Sequence, residues 1–279
     1  MNSFYSILLN VQFDINIADM VSLVFMLAGV CILGNWFFRY GGFDSLEKGP
    51  VRRNSMPIYM GFAAVILWLV LAMANVFILH LLPDDSDERI QELFGYILNG
   101  ITQVCLIAAF LRLGKKYFAR GLKGFGLDMR TIFGDMKMAV VNLAAVYPLV
   151  IGGLLIVVHL FNWPAEPHQS LDTIASDGPL PLKAIVIVTA MFLAPVFEEI
   201  MFRGIFQSSI ISATGMRWVA IVMTSVLFTL QHPRQHYLAI FALSVGLGYA
   251  YERSGSLWRS IFMHMIFNSI SVIATIFMS

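Results

Sequence analysis

Residues 182–203 read LKAIVIVTAMFLAPVFEEIMFR. The first sixteen hold a single charge, Lys183, and then Glu198, Glu199 and Arg203 arrive within six positions. A helix needs about 20 predominantly apolar residues to cross about 30 Å of hydrocarbon, so this stretch has the length and composition of a membrane span. Ionisable groups inside such a span are costly to bury and mark functional positions. The same window length applied outward gives seven more apolar segments, at about 18–38, 57–82, 91–112, 138–163, 217–232, 236–251 and 257–278. The expected fold is therefore all-α, a polytopic transmembrane bundle of about eight helices around a polar intramembrane cavity. The segments at 217–232 and 236–251 are short, which fits tilted helices, a half-helix or one re-entrant hairpin, and leaves six or seven full crossings open.

Composition points the same way. The 279 residues are 58% hydrophobic and 13% charged, against about 25% charged in an ordinary soluble domain. A net charge of +1 offers no basic field for nucleic acid. Cys31 and Cys105 both sit in apolar runs and form neither a disulfide framework nor a zinc cluster. With eight spans, one set of alternate loops collects all the Lys and Arg except Arg89, Lys183 and Arg234. By the positive-inside rule those loops are cytoplasmic and both termini lie on the other side. Asp84-Asp85-Ser86-Asp87-Glu88 and the segment from Pro164 to Pro181 are acidic or neutral, as that side requires. Met1 to Asp19 lacks a basic n-region and a small-residue cleavage site, so no cleaved signal peptide is expected. From Phe118 to Asp135, basic and apolar residues alternate, and an interfacial amphipathic segment and a solvated loop are both open. Trp36, Phe37, Phe38 and Tyr40 read as an interfacial aromatic belt.

Three clusters carry the polar chemistry. In the first, Glu199 and Arg203 are four apart and can pair on one helix face, leaving Glu198 free. Pro195 removes a helical hydrogen bond and bends the segment toward a cavity. A helix end at the interface would tolerate the same residues. In the second, Phe228-Thr229-Leu230-Gln231-His232-Pro233, the proline stops the helix beside His232, whose charged form the helix C-terminus favours. A histidine in a loop outside the membrane is the alternative. In the third, His264 and Asn268 share one helix face inside an apolar run and need protein partners or a wet cavity. Interhelical hydrogen bonding alone would also account for them. Together the clusters offer a carboxylate, two imidazoles and a carboxamide, an inventory suited to hydrolysis by activated water with a stabilised oxyanion. Glu198, His232 and His264 are also the ligand types of a catalytic zinc site, although no H-E-x-x-H helix is present.

The set E-E-x-x-x-R (Glu198, Glu199, Arg203), F-x-x-x-H (Phe228, His232) and H-x-x-x-N (His264, Asn268), with the run from Gly246 to Trp258, resembles the CPBP family of intramembrane proteases. That family includes the CAAX-processing endoprotease and bacterial Abi-type relatives. The resemblance covers about Leu182 to Ser279 and divides the chain into N-terminal membrane helices at 1–181, about four spans with cytoplasmic loops, and a catalytic helix core at 182–279. It implies that Glu198 and His232 activate water, that His264 and Asn268 bind the oxyanion, and that Glu199, Arg203 and Phe228 support the site. The family is described both as zinc-dependent and as metal-independent glutamate proteases. Water activated by Glu198 and His232 without a tightly held metal is slightly preferred here. The implied partner is a membrane-associated protein or peptide within the bilayer, prenylated CAAX proteins among the candidates, and the implied location is a bacterial cytoplasmic membrane.

Two other function classes compete. Buried Glu and His also form proton relays in transporters, and a catalytically idle scaffold or immunity protein would bind a peptide in the same cavity. Helix geometry adds a constraint: counted from Arg217 at about 1.5 Å per residue, His232 lies roughly 20 Å along its helix, deeper than Glu198 or His264. One site therefore requires that helix to tilt or the Pro233 turn to be buried.

Overall fold

The computed structural model describes residues 17–83, 87–163, 169–176 and 178–278. Residues 1–16, where no cleaved signal peptide is expected, the acidic Asp84-Asp85-Ser86 and residues 164–168 of the neutral loop lie outside the described residues. Those described are helical, with one isolated bridge between Asn54 and Phe118 in place of any sheet. The helices are α1 (Ile17–Arg39), α2 (Ile58–His80), α3 (Glu88–Tyr117), α4 (Ile132–Leu160) and the short α5 (Gln169–Ala175). A continuous helical run from Leu180 to Thr214 follows, and then α9 (Arg217–Leu230), α10 (Tyr237–Ser254) and α11 (Leu257–Met278).

Among the described residues six helical stretches are long and apolar enough to cross a membrane: the four long N-terminal helices, the Leu180–Thr214 run and α11. The other two apolar segments do form helices. At 14 residues α9 is only about 21 Å long, and α10 ends in the charged pair Glu252-Arg253. All eight apolar segments are thus helical, and six of the helices have the length and composition to cross, within the range the sequence left open. Of the Ile58–His80 helix only Gly61, Ala64 and Val65 are buried within the protein, and Val70, Met73, Val76 and Phe77 face outward. In water that surface would be untenable, whereas lipid solvates it. The chain is an integral membrane protein.

The Leu180–Thr214 run is not a uniform α-helix. It comprises α6 (Leu180–Val188), a π-turn at Thr189–Leu193, α7 (Ala194–Glu199), a second π-segment at Ile200–Gln207 and α8 (Ser208–Thr214). The first π-turn has a visible cause. The Ala194 N–H donates five residues back, to the Thr189 carbonyl. In that register Pro195 faces the Ala190 carbonyl without an N–H to give it. Widened turns of this kind concentrate at functional sites, and here they bracket Glu198 and Glu199.

The largest core cluster joins Phe197, Phe202, Ile205, Phe228 and Tyr251 to Phe110 and Phe125 from the first half of the chain. The stretch from Phe118 to Asp135 is neither a solvated loop nor a simple surface amphipath. Phe118 and Phe125 are buried and packed edge to face. The Phe125 ring fills the space that a Cβ on Gly204 would occupy. The Phe125 carbonyl accepts the Tyr251 hydroxyl at 2.9 Å, and the Gly126 carbonyl accepts the Leu257 N–H at 2.8 Å. The segment is a plug that caps the start of α11, which a second clamp fixes through Asp135, Ser256 and Arg259. Of the aromatic belt, Phe37, Phe38 and Tyr40 are exposed, but Trp36 donates its indole N–H to Tyr249 and belongs to the packing.

Candidate functional site

The short helix α7 delivers two adjacent carboxylates to different surroundings. Glu199 is fully buried. Its Oε1 accepts from Arg203 Nη1 at 2.7 Å and lies 2.9 Å from His264 Nδ1 on α11. Arg203 continues the chain of contacts to Ser244 on α10, donating from Nη2 to the hydroxyl at 2.7 Å. Glu198 keeps 21% of its side-chain surface, lines a cavity of about 330 Å³ and approaches His264 Nε2 to 3.8 Å. The spacing argument made from sequence therefore describes the observed pairing of Glu199 with Arg203. Because Nδ1 faces Glu199, Nε2 is the ring atom turned to Glu198. At 3.8 Å that contact is too long for a direct hydrogen bond.

Phe228 connects the second cluster to this one. Its buried ring lies 4.8 Å from the His232 ring and 5.8 Å from the His264 ring, and the Arg203 guanidinium sits over it at 4.5 Å. A cation over a buried aromatic face is favourable and fixes both groups. His232 is held by Nδ1 against the Phe228 carbonyl at 2.8 Å. The imidazole follows a helix of only 14 residues and is half-buried. The Pro233 turn itself is half-buried rather than buried, and Arg234 is exposed.

Asn268 is one turn beyond His264 on α11. Its Nδ2 donates at 2.9 Å to the Ala190 carbonyl, the acceptor left open by Pro195. A carboxamide N–H₂ carries a second proton, so this contact leaves Asn268 one donor.

Zinc does not fit this arrangement as a Glu198, His232 and His264 triad. Among the described residues no three His, Cys, Asp or Glu side chains gather as a ligand set. No step below is routed through a metal.

Several participants carried no mark in the sequence reading. Ser244 and Gly248 are four apart on α10, a small-residue spacing that lets helices approach; a Cβ on Gly248 would meet Gln207 Oε1 at 2.7 Å. The far wall of the cavity comes from α2 and α3, through Trp68, Tyr96, Asn99 and Gln103.

Comparison with known proteins bears on the same part of the chain. Residues 180–270 match the family described as type II CAAX prenyl endopeptidase Rce1-like. A Bacillus subtilis protein named "Putative membrane peptidase YdiL" is 28% identical over 90 residues, 32% of this chain and 36% of that protein. An Escherichia coli protein named "Uncharacterized 24.3 kDa protein" is 33% identical over 107 residues, 37% of this chain and 48% of that protein. The chain thus spans less than half the length of either curated relative. No solved structure matches.

Proposed function

We propose that this chain, whose residues 180–270 match the family described as type II CAAX prenyl endopeptidase Rce1-like, is an intramembrane endopeptidase acting on a membrane-associated protein or peptide. The observation that carries the reading is His264 standing between two glutamates, one locked by Arg203 and the other open to a cavity. Residues 182–279 supply the chemistry, and the preceding spans wall the cavity. The basic loops are assigned to the cytoplasmic face of a bacterial membrane, with both termini outside.

In the reaction, water activated by Glu198 together with His232 gives a proton to the Glu198 carboxylate. Its oxygen attacks the scissile carbonyl carbon, and the carbonyl electrons move onto oxygen. His264 and the remaining donor of Asn268 stabilise the oxyanion. As the oxyanion collapses, the C–N bond breaks and Glu198 passes its proton to the departing nitrogen. Glu199, Arg203 and Phe228 hold the imidazoles in place. Prenylated CAAX proteins are one substrate class that the family offers.

The test compares the termini of membrane proteins and peptides in cells expressing wild type or Glu198→Ala at equal abundance. Termini that vanish with the variant are expected, and identical termini overturn the proposal in favour of a binding scaffold or a proton-coupled transporter.

A further inference from the structure

The wall of the cavity opposite Glu198 lies outside the family-matched segment, and it is polar. Asn99 and Gln103 on α3 line the cavity together with Glu198, amid the apolar surfaces of Trp68, Ala72 and Phe197. Gln103 is 7% exposed, and its Oε1 is buried without a hydrogen-bond partner. An unpaired polar atom inside a membrane helix carries a standing cost, and such residues serve function by default. Helix gluing does not account for it: α2 and α3 are already joined by Asn75 donating to Thr102 at 3.1 Å.

The spacing indicates what the two carboxamides bind. Four residues of α-helix separate them by about 6 Å along the axis. An extended peptide presents same-side backbone groups about every 6.8 Å. Each carboxamide has one donor end and one acceptor end, as a peptide unit does. A helical segment that unwinds in the bilayer exposes N–H and C=O groups that lipid cannot satisfy. A volume of about 330 Å³ is at the lower end of the range for ligand pockets and suits a short stretch rather than a whole helix.

We propose that Asn99 and Gln103 form a backbone-reading rail that holds a short, extended, apolar-side-chain segment of the substrate across the cavity from Glu198. The two carboxamides are positioning residues, and the inference rests on the proteolytic reading above.

The experiment uses full-length wild type, Gln103→Leu and Asn99→Leu in detergent, with a quenched-fluorescent peptide spanning the cleavage position found by the termini comparison. Leucine is close in volume and at home in a membrane helix, so each variant is expected to keep or raise its Tm. Each is expected to lose about 5- to 10-fold in kcat/KM, the worth of one hydrogen bond, chiefly through KM. N-methylating one backbone nitrogen of the peptide should cost the wild type a similar factor and cost the matching leucine variant nothing more. Unchanged kcat/KM in both variants overturns the rail while leaving the protease intact. A fall in Tm with N-methyl penalties that simply add assigns the carboxamides to helix gluing and also overturns it. Loss of Glu198 dependence in the termini comparison overturns the proteolytic reading, and the rail with it.

Discussion

His264 spans the two adjacent glutamates, with Nδ1 2.9 Å from Glu199 Oε1 and Nε2 3.8 Å from Glu198 Oε2. Glu199, itself paired with Arg203, holds one end of the ring, and the other end faces Glu198. A carboxylate–imidazole pair with one member immobilised is pre-organised, so little reorganisation is needed when charge develops. Sequence neighbours thereby acquire opposite duties: one fixes the ring and its neighbour is exposed to reactants.

Glu198→Gln should abolish activity and spare the fold. Glu198 retains 21% of its side-chain surface and makes no close ion pair, so little packing is lost. Removing a general base lowers kcat by about 10²- to 10⁴-fold. Thermal unfolding in detergent should leave Tm essentially unchanged. A large drop in Tm would reassign Glu198 to structure.

Glu199→Gln should behave in the opposite order. It leaves the fully buried Arg203 guanidinium without its carboxylate, and breaking a buried pair from one side costs about 3–5 kcal/mol. Pairing the change with Arg203→Met should recover part of the lost Tm, since two neutral groups replace an uncompensated charge. Activity should not return, because His264 has lost its anchor. A double variant no more stable than Glu199→Gln would refute the account.

Much of this arrangement was readable in the chain because it rests on local spacing. Glu199 and Arg203 at four residues, Pro233 after His232, and His264 with Asn268 on one face all follow from helix geometry. The helical segments were legible for the same reason, through apolar length. The π-turns were not, because no residue type marks a five-residue register; Pro195 signalled a perturbation, and only the Thr189–Ala194 hydrogen bond shows its form. Burial of Phe118 and Phe125 was hidden as well. It depends on Gly114 and Gly204, remote from each other in sequence, leaving space for one ring. The cavity wall at Asn99 and Gln103 likewise depends on how α3 meets the Leu180–Thr214 run, a contact that periodicity does not encode.

Gly204→Ala tests that ring contact. Its Cβ would enter the Phe125 ring, which is fully buried and cannot swing aside. Overpacking of this kind costs about 1–3 kcal/mol and should displace Arg203, the next residue in the chain. Gly204→Ala combined with Phe125→Leu, which makes room, should regain Tm and activity together. Failure of the second change to rescue either would show that the ring is not what excludes the methyl.

Asn268 and Pro195 should be coupled in stability although 73 residues separate them in the chain. Asn268 Nδ2 satisfies the Ala190 carbonyl because Pro195 has no N–H to offer in the π-register. With Pro195 present, Asn268→Leu strands that carbonyl and should cost about 1–3 kcal/mol. In a Pro195→Ala background the backbone supplies the missing donor, and Asn268→Leu should cost little. A double-variant cycle of unfolding midpoints measures the difference, and additive costs would rule out the shared carbonyl. Activity separates this structural duty from the proposed oxyanion contact. If Asn268 also donates to the reacting carbonyl, the stable double variant remains slow by about 10²- to 10³-fold, as when an oxyanion donor is removed. Recovery of wild-type turnover would restrict Asn268 to holding the π-turn.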